Sequence, residues 1–308
     1  MKFRKPKFWD QNSISALSIL LLPLSKVYSL INFLRKVFGA NKKFPIPIIC
    51  VGNIYLGGTG KTPLVKKIFE ITKSLGKNPG FIKKDYNFLK DEINMLKKIG
   101  KTFTCKNRVK GIISLINNKH DIAILDDGFQ DFSIRSNFSI LCFNSNQLLG
   151  NGFVIPSGPL RENLNAILRA DCLVINGDKN LEFESKIRKI SKNKKLFIFY
   201  SKYRIKNFDK LINKKITAFA GIGNPSNFFN LLKENNLNLV NSFSFPDHHN
   251  YSEKDFKKIS ADKSTIIVTT EKDYNRMTEE QRINYEQIEI ELEIENENEF
   301  TDLINKYI

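Results

Sequence analysis

The chain has 308 residues, 41% of them hydrophobic and 26% charged, and a formal net charge of +17. These values exclude a disordered chain and leave room for one large domain or two medium ones. Lysine and asparagine are scattered along the whole length, so the positive charge gives only weak support to any one anionic partner, whether nucleic acid, an acidic membrane surface or a phosphorylated substrate.

The first element in chain order has its own character. Lys2, Arg4, Lys5 and Lys7 precede an apolar-rich stretch at 14–34, and Arg35, Lys36, Lys42 and Lys43 follow it. No small-x-small cleavage pattern follows Leu24, which argues against a signal peptide. Pro23, Lys26 and several serines interrupt the run, so it falls short of the roughly 20 apolar residues that a membrane span needs. The segment reads as a helix lying in a membrane interface, with basic residues and Trp9 near its ends for anionic lipid. A buried core helix is the alternative.

Residues 46–51 form an apolar run that leads directly into Gly52-Asn53-Ile54-Tyr55-Leu56-Gly57-Gly58-Thr59-Gly60-Lys61-Thr62-Pro63. This pattern predicts a strand, a glycine-rich turn and a helix start. Backbone N–H groups of Gly57, Gly58, Thr59 and Gly60 can close around phosphate oxygens, Lys61 supplies a point charge, and the Thr62 hydroxyl can ligate Mg²⁺. Pro63 suits the first turn of a helix, where its missing N–H costs nothing. Tyr55 stands where the usual pattern has an early glycine. The reading is a nucleotide-binding loop that uses ATP.

Strands are predicted at 80–82, 102–105, 122–125, 138–143 and 173–175, with helical spacing at 63–75, 92–99 and 109–117. Alternating strands and helices imply an α/β fold with a mostly parallel sheet covered on both faces. Residues 176–194 turn polar and lysine-rich. Apolar runs resume at 196–200 and 216–220, followed by a turn at 221–225, a helix at 227–232, a strand at 265–270 and an alternating segment at 288–294. The expected organisation is an N-terminal region at 1–43, a phosphate-loop core at 44–200 and a smaller α/β unit at 201–308. Cys50, Cys105, Cys142 and Cys172 sit singly in apolar runs, which favours buried thiols over disulfides or a zinc site. With only His120, His248 and His249 present, a histidine-rich metal site is not expected.

Four further segments can carry chemistry. The run at 122–125 ends in Asp126 and Asp127, as does the strand that brings a carboxylate to Mg²⁺ in phosphate-loop proteins. The turn Pro156-Ser157-Gly158-Pro159-Leu160-Arg161 presents an arginine, which can neutralise charge on a transferring phosphate or be incidental to a surface turn. Asp247-His248-His249 is either an acid–base pair or a satisfied surface pair. Asp91 and Glu92, taken alone, are acids favoured by a helix N-terminus.

Together these segments resemble the lipid A 4′-kinase family, the tetraacyldisaccharide 4′-kinases. The resemblance runs in order through 20–25 (LLLPLS), 51–63 (VGNIYLGGTGKTP), Asp91-Glu92, 126–130 (DDGFQ), 150–162 (GNGFVIPSGPLRE), 221–225 (GIGNP), Asp247-His248 and 270–273 (TEKD). The family's phosphate loop also lacks the early glycine, which accounts for Tyr55. The resemblance implies transfer of the ATP γ-phosphate to the 4′-hydroxyl of a tetraacylated glucosamine disaccharide 1-phosphate at the cytoplasmic face of the bacterial inner membrane. Lys61 would hold phosphates, while Thr62, Asp126 and Asp127 would manage Mg²⁺. Asp91 falls on the family's catalytic base, His248 on its histidine partner and Arg161 on its charge-stabilising arginine. An acylated substrate stays in the bilayer, which gives the N-terminal segment its purpose.

The chain departs from the family at 83–90 (KKDYNFLK), where a Ser-Arg-Gly-Tyr-Gly-Gly run and a longer loop are usual. Asp91 lacks its preceding glycine, Ile93 replaces a proline after Glu92, and Asn163 replaces another. The main competing reading is a membrane-attached switch ATPase of the partitioning and division-site class. That class has a lysine before the first glycine of the loop, where this chain has Leu56. Nucleic acid is not an expected partner, because no basic stripe is interleaved with aromatics. No obligate protein partner is evident in the sequence.

Overall fold

The computed structural model describes residues 5–10, 14–86 and 90–308. Lys2 and Arg4 of the basic flank lie outside the described residues, as do 87–89 of the 83–90 segment. The first half contains α1 (Ala16–Leu20), α2 (Leu22–Val37), β1 (Ile48–Gly52), α3 (Lys61–Ser74), β2 (Pro79–Lys84), α4 (Lys90–Lys97), β3 (Thr102–Cys105), α5 (Arg108–Asn117), β4 (Ile122–Asp126), β5 (Phe138–Asn144) and β6 (Cys172–Asn176). Next come α6 (Leu181–Ile190), β7 (Phe197–Ile205), β8 (Lys215–Ala220), α7 (Pro225–Glu234), β9 (Asn238–Ser244) and α8 (Glu253–Ile259). The chain ends with β10 (Ile266–Thr270), α9 (Glu271–Tyr274), α10 (Glu279–Arg282), β11 (Glu286–Ile288), β12 (Ile290–Ile294) and α11 (Glu297–Asn305).

The larger of two compact units comprises 5–85, 100–202 and 292–308. Its sheet has the order β12-β7-β6-β5-β1-β4-β2-β3, and the pairs from β7 through β3 are parallel. β1, β4 and β6 are buried along their whole length, as a sheet covered on both faces requires. The loop strand β1 pairs directly with β4, Val51 lying opposite Asp126. The phosphate loop and the paired aspartates therefore emerge side by side. The smaller unit, 86–99 with 203–291, has a four-stranded parallel sheet of order β11-β10-β8-β9.

The units exchange segments that a simple division at 200 keeps apart. α4 interrupts the larger unit in sequence, yet it belongs with the smaller one and packs on α9. Residues 292–308 return to the larger unit, where Phe300 packs edge-on against Phe199 and Tyr307 stacks on Phe138. The alternating segment at 288–294 is two strands in two different sheets. The polar stretch at 176–194 contains α6, whose Asn180 side chain caps the N-terminus and whose Phe183 and Ile187 turn inward. Charge on the outer face hid this narrow apolar stripe.

The N-terminal helices invert the usual amphipathic arrangement. Among the described residues of 14–38, twelve large apolar side chains are exposed, Leu20 and Phe38 at 74% and 80%. The buried positions are serines. Ser25 Oγ donates to Val154 O or Ser157 Oγ, both at 2.8 Å, and accepts from Ser157 N at 3.0 Å. Ser18 Oγ accepts from Asn151 Nδ2 at 3.1 Å. The segment is thus not a core helix, since its polar stripe faces the protein. Among the described residues no helix is long and apolar enough to cross a membrane. Trp9 differs from the sequence reading. It is buried, with Nε1 donating to Pro156 O at 3.0 Å, and serves packing rather than lipid contact. Ser25→Ala removes the acceptor of a buried N–H. It should cost about 1–3 kcal/mol, read as a lower unfolding midpoint with faster amide exchange in α2.

Candidate active site

In the larger unit, the chain between β1 and α3 needs glycine for two physical reasons. A Cβ at Gly52 would lie 2.5 Å from Phe129 Cβ, so the close approach of β1 to the turn after β4 at this point requires glycine. Gly60, which precedes the first turn of α3, has φ +89°, a left-handed conformation that favours glycine. The loop is pinned from inside by Asn53, whose Nδ2 donates to Tyr55 O at 2.5 Å and to Thr59 Oγ1 at 3.0 Å. Gln130 Nε2 donates to Asn53 O at 2.9 Å, tying the turn after β4 to the loop. The result is a preformed row of backbone N–H groups at a helix N-terminus, suited to phosphate.

Three charged clusters surround this loop. Asp127 receives Arg161 Nη1 on both oxygens at 2.8 and 3.0 Å, with Lys61 Nζ 3.9 Å away. Burial pushes the Asp127 carboxyl up, but Lys61 and Arg161 outweigh it and hold it well below the usual carboxylate range. Asp126 is fully buried and its Oδ2 accepts from Lys83 Nζ at 2.5 Å, while its Oδ1 has no hydrogen-bond partner among the described residues. Arg108 donates to the Asp126 and Asp127 carbonyls at 3.3 and 2.6 Å and pairs with Asp131 at 2.9 Å, which fixes the turn. Arg161 is itself placed by its own N–H on Ile54 O at 2.7 Å and by Asn32 Nδ2 on its carbonyl at 3.1 Å.

The second centre lies in the smaller unit. Asp91 sits in the first turn of α4, where the helix dipole favours a carboxylate, and its side chain is only 4% exposed. Arg276 donates from Nε and Nη2 to Asp91 Oδ2 at 3.0 and 2.7 Å. His248 Nδ1 is 3.6 Å from that oxygen and Lys272 Nζ 3.9 Å. Asp91 Oδ1 is buried without a hydrogen-bond partner among the described residues. His248 has φ 56°, and its N–H donates to Gly221 O at 3.1 Å at the end of β8. Burial and then Lys272 hold its imidazole below the ordinary value, against the opposing pull of Asp247 and Asp91. The ring is therefore neutral near pH 7. His249 is engaged elsewhere, with Nε2 3.1 Å from Asp255 Oδ2.

The sequence-predicted residues thus gather in two places: Lys61, Arg161, Asp126 and Asp127 beside the glycine loop, and Asp91 with His248 in the smaller unit. Three cations were missed. Lys83, the last residue but one of β2, lies beside Asp126, and Lys272 and Arg276 lie on and just after α9, near Asp91. The signal available for the last two was the TEKD run. Thr270 caps α9 by accepting from Asp273 N at 3.1 Å and so sets their direction.

Comparison with known proteins supplies the context. The family model for LpxK, tetraacyldisaccharide-1-P 4′-kinase, matches residues 17–98 and 89–308. The two stretches meet on α4, just after the short 83–90 segment. The chain is 38% identical to the tetraacyldisaccharide 4′-kinase of Pelagibacter ubique over 317 aligned positions, covering 100% of this chain and 98% of that protein. Identity to the Rickettsia typhi protein of the same name is 36% over 299 positions, with 89% of each covered. The structure resembles that of LpxK from Aquifex aeolicus in complex with ATP, with a TM-score of 0.74 and 27% identity over 94% of this chain and 99% of that one.

Lys83→Met would leave the Asp126 carboxylate buried without its ammonium. Removing one partner of a buried pair should cost about 3–5 kcal/mol, measured as a lower denaturation midpoint. The double variant with Asp126→Asn should recover much of the loss, because it also removes the stranded charge.

Proposed function

The chain belongs to the tetraacyldisaccharide-1-P 4′-kinase family, and we propose that it transfers the γ-phosphoryl group of ATP to the 4′-hydroxyl of a tetraacylated glucosamine disaccharide 1-phosphate. The observation that carries this reading is Asp91: a buried carboxylate with one oxygen held by Arg276 and the other without a hydrogen-bond partner among the described residues, which leaves it able to accept a proton. It occurs in a chain that also builds a phosphate loop. The partitioning-type switch ATPase is not favoured, since it lacks the full-length family match and needs a lysine where Leu56 stands.

In this reaction the 4′-oxygen bonds to the γ-phosphorus as the bond to the β,γ-bridging oxygen breaks and ADP leaves. The hydroxyl proton goes to Asp91 Oδ1. Neutral His248 stands beside this carboxylate and tunes it. Lys61 and Arg161, now paired with Asp127, neutralise the phosphates, whose denser charge competes for them. The donor set suits Mg²⁺, a hard cation that takes oxygen ligands. The Asp126 Oδ1 is a buried acceptor without a partner among the described residues, and Thr62 is the second residue of α3. These two residues would hold the ion, which supplies charge neutralisation at the β- and γ-phosphates. Asp127, whose oxygens already serve Arg161, is the less open ligand.

The outward apolar face of α1 and α2 would meet the acyl region at the cytoplasmic side of the inner membrane. Exposed Lys26, Arg35 and Lys36 lie among its apolar residues, ready for anionic headgroups. Such a face supports a position where an acylated substrate resides.

Labelled phosphate should pass from ATP to the purified disaccharide 1-phosphate lipid and not to DNA. Asp91→Asn should lower kcat by about 10²–10⁴-fold with little change in the KM for ATP; near-native kcat would move the base elsewhere. The pH profile should show an acid limb centred below about 6.5, because His248 must be neutral and its proton affinity is depressed. Leu24→Glu with Leu30→Glu should abolish co-sedimentation with anionic vesicles while ATP binding persists, since both side chains are exposed and touch no core. Unchanged sedimentation would reject this face as the membrane contact.

A further inference from the structure

The approach of His248 to Asp91 is not a hydrogen bond. At 3.6 Å, Nδ1 and Oδ2 are too far apart, and the same Nδ1 lies 3.4 Å from Arg276 Nη2. A guanidinium only donates, so Nδ1 must be the accepting nitrogen and the proton of the neutral ring sits on Nε2. Two acceptors therefore face each other across the centre. A third group must join them.

We infer that Arg276 is the positioning residue of this centre: it bridges Asp91 and His248 and occupies one carboxylate oxygen, so that the other keeps its lone pairs without a partner among the described residues. Both Nε and Nη2 fall on Asp91 Oδ2, at 3.0 and 2.7 Å. Nη1 reaches the opposite way, to Gly221 O at 2.7 Å and Asp273 Oδ1 at 2.9 Å. Asp273 is anchored in turn by Gly221 N at 3.0 Å, Thr270 Oγ1 at 2.7 Å and the Tyr251 hydroxyl at 2.8 Å. The guanidinium plane is thus fixed at its far end by the ends of β8 and β10. Its near end is what Asp91 and His248 meet.

The other charged groups around the centre cannot replace it. Lys272 lies 3.9 Å from Asp91 Oδ2, beyond hydrogen-bond reach, and is nearer to Glu92 at 3.3 Å and Asp247 at 3.6 Å. Asp247 is 3.9 Å from His248 Nε2. A planar fork is required because four acceptors in different directions share one cation, a geometry that lysine's single ammonium cannot supply.

This deepens the reading of Asp91 as the proton acceptor and rests on it. The test pairs turnover with nitrogen NMR of labelled imidazole, which is tractable with three histidines in the chain. In the native protein His248 should show an unprotonated Nδ1 and titrate below its ordinary value. In Arg276→Met its titration should move up by about one pH unit or more, because a cation is lost and an Nδ1–H can bond Asp91 directly. There kcat should fall about 100-fold while the KM for ATP stays within about twofold. Arg276→Lys should keep the titration near native, since the charge stays, but lose about tenfold in kcat, since the fork is gone. An unchanged His248 titration and tautomer in Arg276→Met would overturn the inference. So would native kcat in Arg276→Lys, the variant that decides the matter if Arg276→Met does not fold. Near-native turnover in Asp91→Asn would instead sink the assignment of Asp91 and leave the imidazole spectra to judge Arg276.

Discussion

Parallel strands covered on both faces leave polar side chains one place to stand, the ends of the strands. Much of the candidate site obeys that constraint. In the larger unit the glycine loop follows β1, the aspartate pair stands at the end of β4 and Lys83 near the end of β2, three neighbouring strands of one sheet. In the smaller unit Gly221 follows β8 and the TEKD turn follows β10. Because the strand interiors are apolar and filled, a charge introduced there would have no compensation. At the ends, backbone N–H and C=O groups left by the last ladder bonds are available as partners.

Charge compensation is the second theme. Asp126 and Asp91 are buried and Asp127 is half-buried, and each has a fixed cation: Lys83 for Asp126, Arg161 with Lys61 for Asp127, and Arg276 for Asp91. A buried carboxylate without a partner would hold its proton and could neither bind a cation nor accept from a hydroxyl. The pairing is also partial in the two places where the proposed reaction needs a free acceptor. Asp126 and Asp91 each keep one oxygen without a partner among the described residues, whereas Asp127 has both oxygens engaged. A structural ion pair would gain from satisfying both.

The N-terminal helices show the same logic turned outward. Serines dock them through hydrogen bonds to the loop that carries Arg161, and Asn32 adds a bond to the Arg161 carbonyl. The apolar side chains are left outside. A globular protein tolerates such a face poorly in water, and that is the observation behind the proposed membrane contact.

What the sequence determined by itself was local. The phosphate loop is legible because its glycines, lysine and threonine are consecutive and their conformational and charge demands do not depend on distant residues. The alternation of strands and helices is legible for the same reason, and it fixed the fold class. Asp91 and His248 carry no such signature; they stood out only because the whole set of segments resembles a known family. Arg276 and Lys83 stayed hidden because their partners lie 185 and 43 residues away, and no local pattern marks an arginine or lysine as paired. The apolar content of 14–38 was plain, but which side of those helices faces the protein was decided by Ser18 and Ser25 finding Asn151 and Ser157 across more than a hundred residues. Tertiary structure alone decides such matters, because a buried charge or hydroxyl is satisfied by whatever the fold brings to it, and that is set by packing rather than by neighbours in the chain.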